Sequence, residues 1–315
     1  MASRQPLSVL FLFALAVGAG CSTGGTSAVT PSAANVAAQA LGRPLSDASS
    51  NHVYVADNFA STVWIFPAGG TNPNPVGSIT NGIVGPQGLA VDAAGKLYVA
   101  NSGNDTVTIY PPGSSSPSLT LHQDLTTPAA VAVDSKGNVW VSNELGSYEG
   151  SVVEFPAGQT TPSTVISGLN PYGVAIDSAN NLYVANYNNY AAFVSVYPPG
   201  KTKPSKEFGQ NNLIEPLGIT VGPSGEVYVA DYQYDDVFIF TAKTHRLRKT
   251  VFVESGDLSA LTISQNKRVY VADSDMGVVS EISRYGFGHV LANRYHNDLQ
   301  SAFGVAADPA VAPGP

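Results

Sequence analysis

Cysteine is almost missing from this chain. Cys21 is the single one among 315 residues, so no intramolecular disulfide can form. Charge is scarce too: Asp, Glu, Lys and Arg make up only 12% of the residues, with a formal net charge of −8. There is no Lys/Arg-rich patch, and a balance of this sign attracts cations rather than phosphates, which argues against a nucleic-acid partner. The one basic cluster, Lys243 to Lys249, lies between two strand patterns and is expected to be a solvated loop or edge. Long hydrophobic runs are lacking as well. The apolar stretch Leu7–Val17 has 11 residues, too short to span a bilayer. No His-Glu-x-x-His, Gly-x-Ser-x-Gly or phosphate-loop motif occurs.

What the chain does have is Gly (31) and Pro (22), as many short strands and tight turns require. It also has a repeat. PQGLAVDAAGKLYVAN at Pro86–Asn101 returns at Pro128–Asn143, Pro171–Asn186 and Pro216–Asp231, and in a worn copy at Leu258–Asp273. The terminal Asn or Asp residues, 101, 143, 186, 231 and 273, are 42 to 45 residues apart. A period of that size, with strand patterns in each unit, predicts an all-β protein, a β-propeller with one four-stranded blade per repeat.

Two half-repeats complete the count. His52–Asn58 carries the second half of the unit and Ala302–Pro309 the first half, with Asp57 in the place of Asn101 and Asp308 in that of Asp92. Joined, they make a sixth blade: the C-terminal segment gives the innermost strand and the N-terminal segment the outer ones. An incomplete blade would leave unpaired backbone groups on an edge, so closure is favoured. The expected organisation is a signal peptide at 1–20, a tether at 21–47, a six-bladed propeller at 48–310 and a tail at 311–315.

Within a blade, Gly88–Asp92 is the expected inner strand, Leu97–Ala100 the second, Asp105–Tyr110 the third and Ser118–Leu121 the fourth. An aromatic recurs in the second strand at Tyr54, Tyr98, Trp140, Tyr183, Tyr228 and Tyr270. A ring at that place in each blade is expected to pack between blades.

The N-terminus reads as an export signal: Arg4, the apolar run, then Gly18-Ala19-Gly20 before Cys21. A Cys at that place resembles the lipobox of bacterial lipoproteins, with Gly18 standing where an apolar residue is usual. The resemblance implies a lipidated Cys21, a cell-envelope location and membrane attachment by lipid alone; plain secretion is the alternative. Residues 22–47, rich in Ser, Thr, Ala and Gly, read as a flexible tether.

The unit P-x-G-[LV]-A-[VI]-D followed by [LV]-[YW]-V-[AS]-[ND] resembles the NHL-repeat family of six-bladed propellers. Related propellers include binding scaffolds and enzymes: metal-dependent lactonases of the SMP-30 type, peptide-amidating lyases and the streptogramin lyase. The resemblance implies that a lactonase-type metal would be held by Glu, Asn and Asp just before the innermost strands. The places matched here are Gln87, Ala129, Tyr172, Leu217, Ser259 and Phe303, and none is Asp, Glu or Asn. A hard cation wants several anionic oxygens. A zinc lyase would need converging His, yet His52, His122, His245, His289 and His296 occupy unlike places in their repeats. No catalytic residue, metal site or cofactor is therefore expected.

The loops after the second strands carry the least repetitive residues. Tyr148, Tyr187, Asn188, Tyr190, Tyr232, Tyr234 and Asp235 lie there, with Tyr172 and Phe303 at the channel mouth. Tyr beside Asn and Asp suits stacking combined with hydrogen bonding, as in recognition of a protein or glycan. The expectation is a monomeric, non-catalytic extracytoplasmic binding or scaffold propeller; a metal-dependent lyase or lactonase-type hydrolase is the alternative.

Overall fold

A computed structural model of the chain describes residues 52–68, 73–145, 149–187, 192–253, 256–264, 267–282, 291–295 (backbone only) and 299–307. Its described strands fall into six sheets of four. The chain begins with β1 (His52–Asp57), β2 (Thr62–Pro67) and β3 (Gly77–Ile79). Blade 1 is β4 (Pro86–Val91), β5 (Leu97–Asn101), β6 (Thr106–Tyr110) and β7 (Leu119–Leu121). Blade 2 is β8 (Pro128–Val133), β9 (Val139–Asn143), β10 (Gly150–Phe155) and β11 (Thr164–Leu169). Blade 3 is β12 (Pro171–Ile176), β13 (Leu182–Asn186), β14 (Phe193–Tyr197) and β15 (Lys206–Phe208). Blade 4 is β16 (Pro216–Val221), β17 (Val227–Asp231), β18 (Asp236–Phe240) and β19 (Leu247–Phe252). Blade 5 is β20 (Leu258–Ile263), β21 (Val269–Asp273), β22 (Val278–Ile282) and β23 (Leu291–Tyr295). The last strand, β24 (Ala302–Ala307), joins the first three in the order β24-β1-β2-β3.

The fold is thus a six-bladed β-propeller, closed as the half-repeats foretell. In the closing pair Val53 faces Ala307, Val55 faces Val305 and Asp57 faces Ala302. Gln300 N–H also donates to Asp57 Oδ2 at 2.8 Å. Asp308 and the expected boundaries near 48 and 310 lie outside the described residues.

The core is divided between the blades rather than gathered at the axis. Six apolar clusters form, each built from two neighbouring blades. The recurrent aromatics supply one ring to each: Tyr183, Tyr98, Tyr270, Tyr54, Tyr228 and Trp140 in turn. Tyr98 and Tyr183 also donate their hydroxyls to Asp92 and Asp177 in their own turns, at 3.0 and 3.3 Å. A ring that fills the gap between blades while bonding its own hairpin links packing to local turn geometry.

The inner strands crowd one another. A Cβ placed on Gly88 would lie 2.5 Å from Ala130 Cα of the next blade, and one on Gly304 would strike the Gln87 carbonyl oxygen. This is why the repeat asks for Gly or Ala there.

The basic cluster forms the turn into β19 and its exposed edge. One member departs from a solvated loop. His245, at φ 52°, stacks on Phe208 with centroids 4.5 Å apart and meets Tyr183 edge-on. Burial, then the Lys206 ammonium, push its pKa down to about 4. In the unfolded chain the imidazole takes a proton near pH 6.5. The unfolded state therefore binds protons more readily between about pH 6.5 and 4, and stability from this group falls as pH drops through that window. We expect His245→Asn to flatten the difference in unfolding free energy between pH 7.5 and pH 5, read from urea titrations, by about 1 kcal/mol, discounted for partial exposure. Parallel titrations of both proteins cancel the other titrating groups; an unchanged difference would contradict the assignment.

Candidate functional site

Each blade ends its second strand on a buried Asn or Asp: Asp57, Asn101, Asn143, Asn186, Asp231 and Asp273 are all at most 2% exposed. Their carboxylate or amide groups tie loops together. Asn101 Oδ1 accepts from Val84 N–H, Asn143 Oδ1 from Thr126 N–H, and Asp273 Oδ1 from Met276 N–H. Asp231 takes four backbone donors, Ile214 and Glu215 on one oxygen, Gln233 and Tyr234 on the other.

A second tie repeats beside the first. The residue after each second strand donates its N–H to the carbonyl just before the first strand. Glu144 bonds Thr127, Tyr187 bonds Asn170, Tyr232 bonds Glu215 and Ser274 bonds Asp257, at 2.9–3.2 Å. Just inside lies a bulge in each blade, at Gln87, Ala129, Tyr172, Leu217, Ser259 and Phe303. A bulge re-aims its side chain. Loops of two kinds are thus clamped into one rigid end of the ring.

Most of the described predicted residues lie on blades 3 and 4. Tyr172 donates its hydroxyl to Glu144 Oε1 at 2.8 Å and meets the Tyr187 ring edge-on, centroids 6.1 Å apart. Burial raises the Tyr172 hydroxyl first, with Glu144 adding to it. Burial also raises Tyr187, and Glu215 adds to it. Tyr232 is raised by burial and by its hydrogen bond to Asp257. Asp235, at φ 56°, accepts from Asp257 N–H at 2.9 Å. Tyr234 is exposed, and its ring packs on Phe238. Phe303 stands apart, on the inner strand of the blade opposite blade 3. Tyr148, Asn188, Tyr190 and Cys21 lie outside the described residues.

Two acids at the mouth escape a reading by the six matched places. Glu215 and Asp257 stand immediately before β16 and β20, two positions earlier in the chain than Leu217 and Ser259. The preceding column reads Gly85, Thr127, Asn170, Glu215, Asp257 and Ser301, and that column was the available signal. Burial, then Asp231 and Asp257, push the Glu215 carboxyl up to about 7. Asp257 is raised by burial, against the Tyr232 hydrogen bond. Among the described residues no three of His, Cys, Asp and Glu gather in a metal-holding group.

The same end is apolar as well as acidic. Of the ten exposed large hydrophobic residues described, seven lie there: Phe59, Val84, Leu145, Ile214, Tyr234, Phe252 and Met276. Exposed large apolar side chains are thus more frequent at this end of the ring than at the other.

No family model matches the chain, and no curated protein matches it in sequence. Solved structures match in fold. A chain in the crystal structure of a nidogen/laminin complex is 18% identical, with a TM-score of 0.70, covering 83% of this chain and 99% of its own. A protein of unknown function from Bacteroides caccae is 12% identical with a TM-score of 0.64, covering 82% and 99%. At these identities the likeness extends to the six-bladed propeller alone.

Proposed function

We propose that this chain is a non-catalytic binding propeller, of the kind the NHL-repeat resemblance implies, that docks a protein on its loop end. On this reading residues 1–20 direct export, Cys21 is lipidated and 21–47 tether the ring in the cell envelope. The observation that carries it is the gathering of seven exposed apolar side chains on one rigid end. A neighbour in fold was solved within a nidogen/laminin complex, which is compatible with a propeller serving a protein partner. The test is site-specific photo-crosslinking in cells that make the protein. A benzophenone side chain at Phe59, Leu145 or Met276 is expected to give protease-sensitive adducts, and one at Val165, on an outer strand, none. Glycosidase-sensitive adducts would make the ligand a glycan, and silence at all three positions would sink the reading.

A second reading, a metal-dependent lyase or lactonase-type hydrolase, has one observation in its favour. Asn170, Glu215 and Asp257 stand just before the inner strands of three successive blades. Asn170 Oδ1 is buried with no hydrogen-bond partner, as a metal-binding oxygen could be. Those three oxygens would hold a divalent cation, which would supply Lewis acidity at the mouth. Two carboxylates, one already bonded by Tyr232, are a thin set for a hard cation. The binding reading expects the melting temperature to stay the same in EDTA and in 5 mM Ca2+ or Mg2+ (about 5 mM being far above a typical site's Kd). A rise of several degrees that Glu215→Gln abolishes would favour the enzyme.

A further inference from the structure

We propose that the loop end docks a basic segment of a partner protein, one carrying Lys or Arg beside large apolar side chains. The inference rests on the protein-docking reading above and adds the chemistry of the partner. It comes from how charge is distributed between the two ends of the ring.

None of the described loops at the apolar end contains a Lys or Arg. They do contain Asp105, Asp124, Glu144 and Glu149 on the first blades, and Glu215, Asp235, Asp257 and Asp275 further round. The described loops at the opposite end hold Lys96, Lys136, Lys201, Lys203, Lys243, Arg246, Lys267 and Arg268 against only Asp92, Asp134, Asp177 and Glu226, an excess of positive charge. A chain of net charge −8 has therefore concentrated its negative field on one face. Such a field speeds encounter with cations and opposes anionic partners.

The apolar and acidic groups interleave. Met276 is 50% exposed next to exposed Asp275, Leu145 is 47% exposed next to Glu144, and Ile214 is 42% exposed next to Glu215. A partner that is only apolar would bury these carboxylates without compensation, which is costly. One that is only cationic would leave the exposed apolar surface in water. A segment with both chemistries satisfies both. Lys and Arg suit the purpose because their apolar stems can lie along Phe59 or Met276 while the heads reach the carboxylates. Tyr172 and Tyr187, edge-on beside Glu144, add ring faces to which a cation is attracted.

A second copy of this chain is the rival occupant, since its opposite end is basic. That end fits poorly. Among the described residues it offers only Val76 and Leu247 as exposed large hydrophobics, against seven. The N-terminal 51 residues, with Arg4 and Arg43 alone, are too weakly basic to fill the role.

The test uses the full chain, immobilised, to select from a random dodecapeptide display library. We expect the enriched peptides to carry net positive charge together with large apolar residues. A selected peptide, made synthetically and followed by fluorescence anisotropy, should lose at least about tenfold in affinity when its Lys and Arg become Gln. It should lose a similar factor against the triple variant Glu144→Gln, Asp275→Asn, Glu215→Gln. Affinity should also weaken with salt, as exposed charge pairs do. The peptide analogue keeps the test decisive if the triple variant folds poorly. Enrichment of neutral or acidic apolar peptides would overturn this inference while leaving protein docking in place. No enrichment over bare support would overturn both. Salt-sensitive self-association in sedimentation velocity, competed by none of the selected peptides, would give the face to a second copy and overturn the inference as well.

Discussion

Deleting residues 302–315 is expected to abolish cooperative folding. The physical ground is the edge it opens. β24 is the inner strand of the split blade and pairs along β1 from Val53 to Asp57. It also neighbours the inner strands of blades 1 and 5, β4 and β20, around the channel. Its Val305 and Ala307 belong to the cluster shared with blade 5, and Ala306 to the one shared with blade 1. Removing it strips two of the six inter-blade cores at once and exposes a row of unpaired donors and acceptors. A deletion is blunt, so a point variant sharpens the claim. Gly304→Val places a branched side chain against the Gln87 carbonyl of blade 1 with no room to yield. Overpacking of this kind costs about 3 kcal/mol, or roughly 10 °C in a domain of this size. Differential scanning calorimetry on both variants decides the matter. Retention of the wild-type melting temperature by either would mean that the closing strand does not hold the ring.

How far the fold could be read in advance follows from what repeats. The Asn and Asp column, the Tyr column and the Gly that faces the next blade each do one backbone or packing job in successive units, so each leaves a residue type at a fixed interval. That is enough to count blades and to see that the two half-repeats belong together. The site was only partly legible, for a reason visible in the column before the inner strand. There the backbone carbonyl accepts the repeating hydrogen bond, from Glu144, Tyr187, Tyr232 or Ser274 N–H. The side chain is not needed for that bond and varies from Gly85 through Asn170 to Asp257. A search for a repeated residue type passes over it, and the acids Glu215 and Asp257 with it. His245 escaped for a different reason: its partners Phe208 and Tyr183 are distant in sequence, on another blade, and a local reading sees only the charges around it. Phe303 shows the converse. Its place in the unit matches that of Tyr172, yet the ring carries the two to opposite blades.

Those same columns make Asp231 the residue whose loss should reach the site most directly. At Asn101, Asn143 and Asn186 the amide donates to a hydroxyl on the third strand: Thr108, Ser151 and Ser195, at 3.0–3.2 Å. At 231 no such hydroxyl is present, because Asp236 and Phe238 occupy the corresponding places on β18. Instead both oxygens accept, two N–H groups each, and hold the loop before β16 against the loop after β17. Burial nonetheless raises the carboxyl above its usual range, so the four donors only partly offset desolvation. Asp231→Ala would leave four backbone N–H groups without their acceptor, a loss of about 3–5 kcal/mol. Asp231→Asn is not the mild change that the repeat suggests. Its amide would point a donor at donors, and about 2 kcal/mol is the expected cost. Both variants should also release Glu215 and Tyr234, which flank the proposed docking surface, so binding of a selected basic peptide should weaken beyond what lost stability explains. Urea titration fixes the order wild type, Asn, Ala. An Asn variant as stable as wild type would show that one accepting oxygen suffices, and that the two loops are not held through this carboxylate.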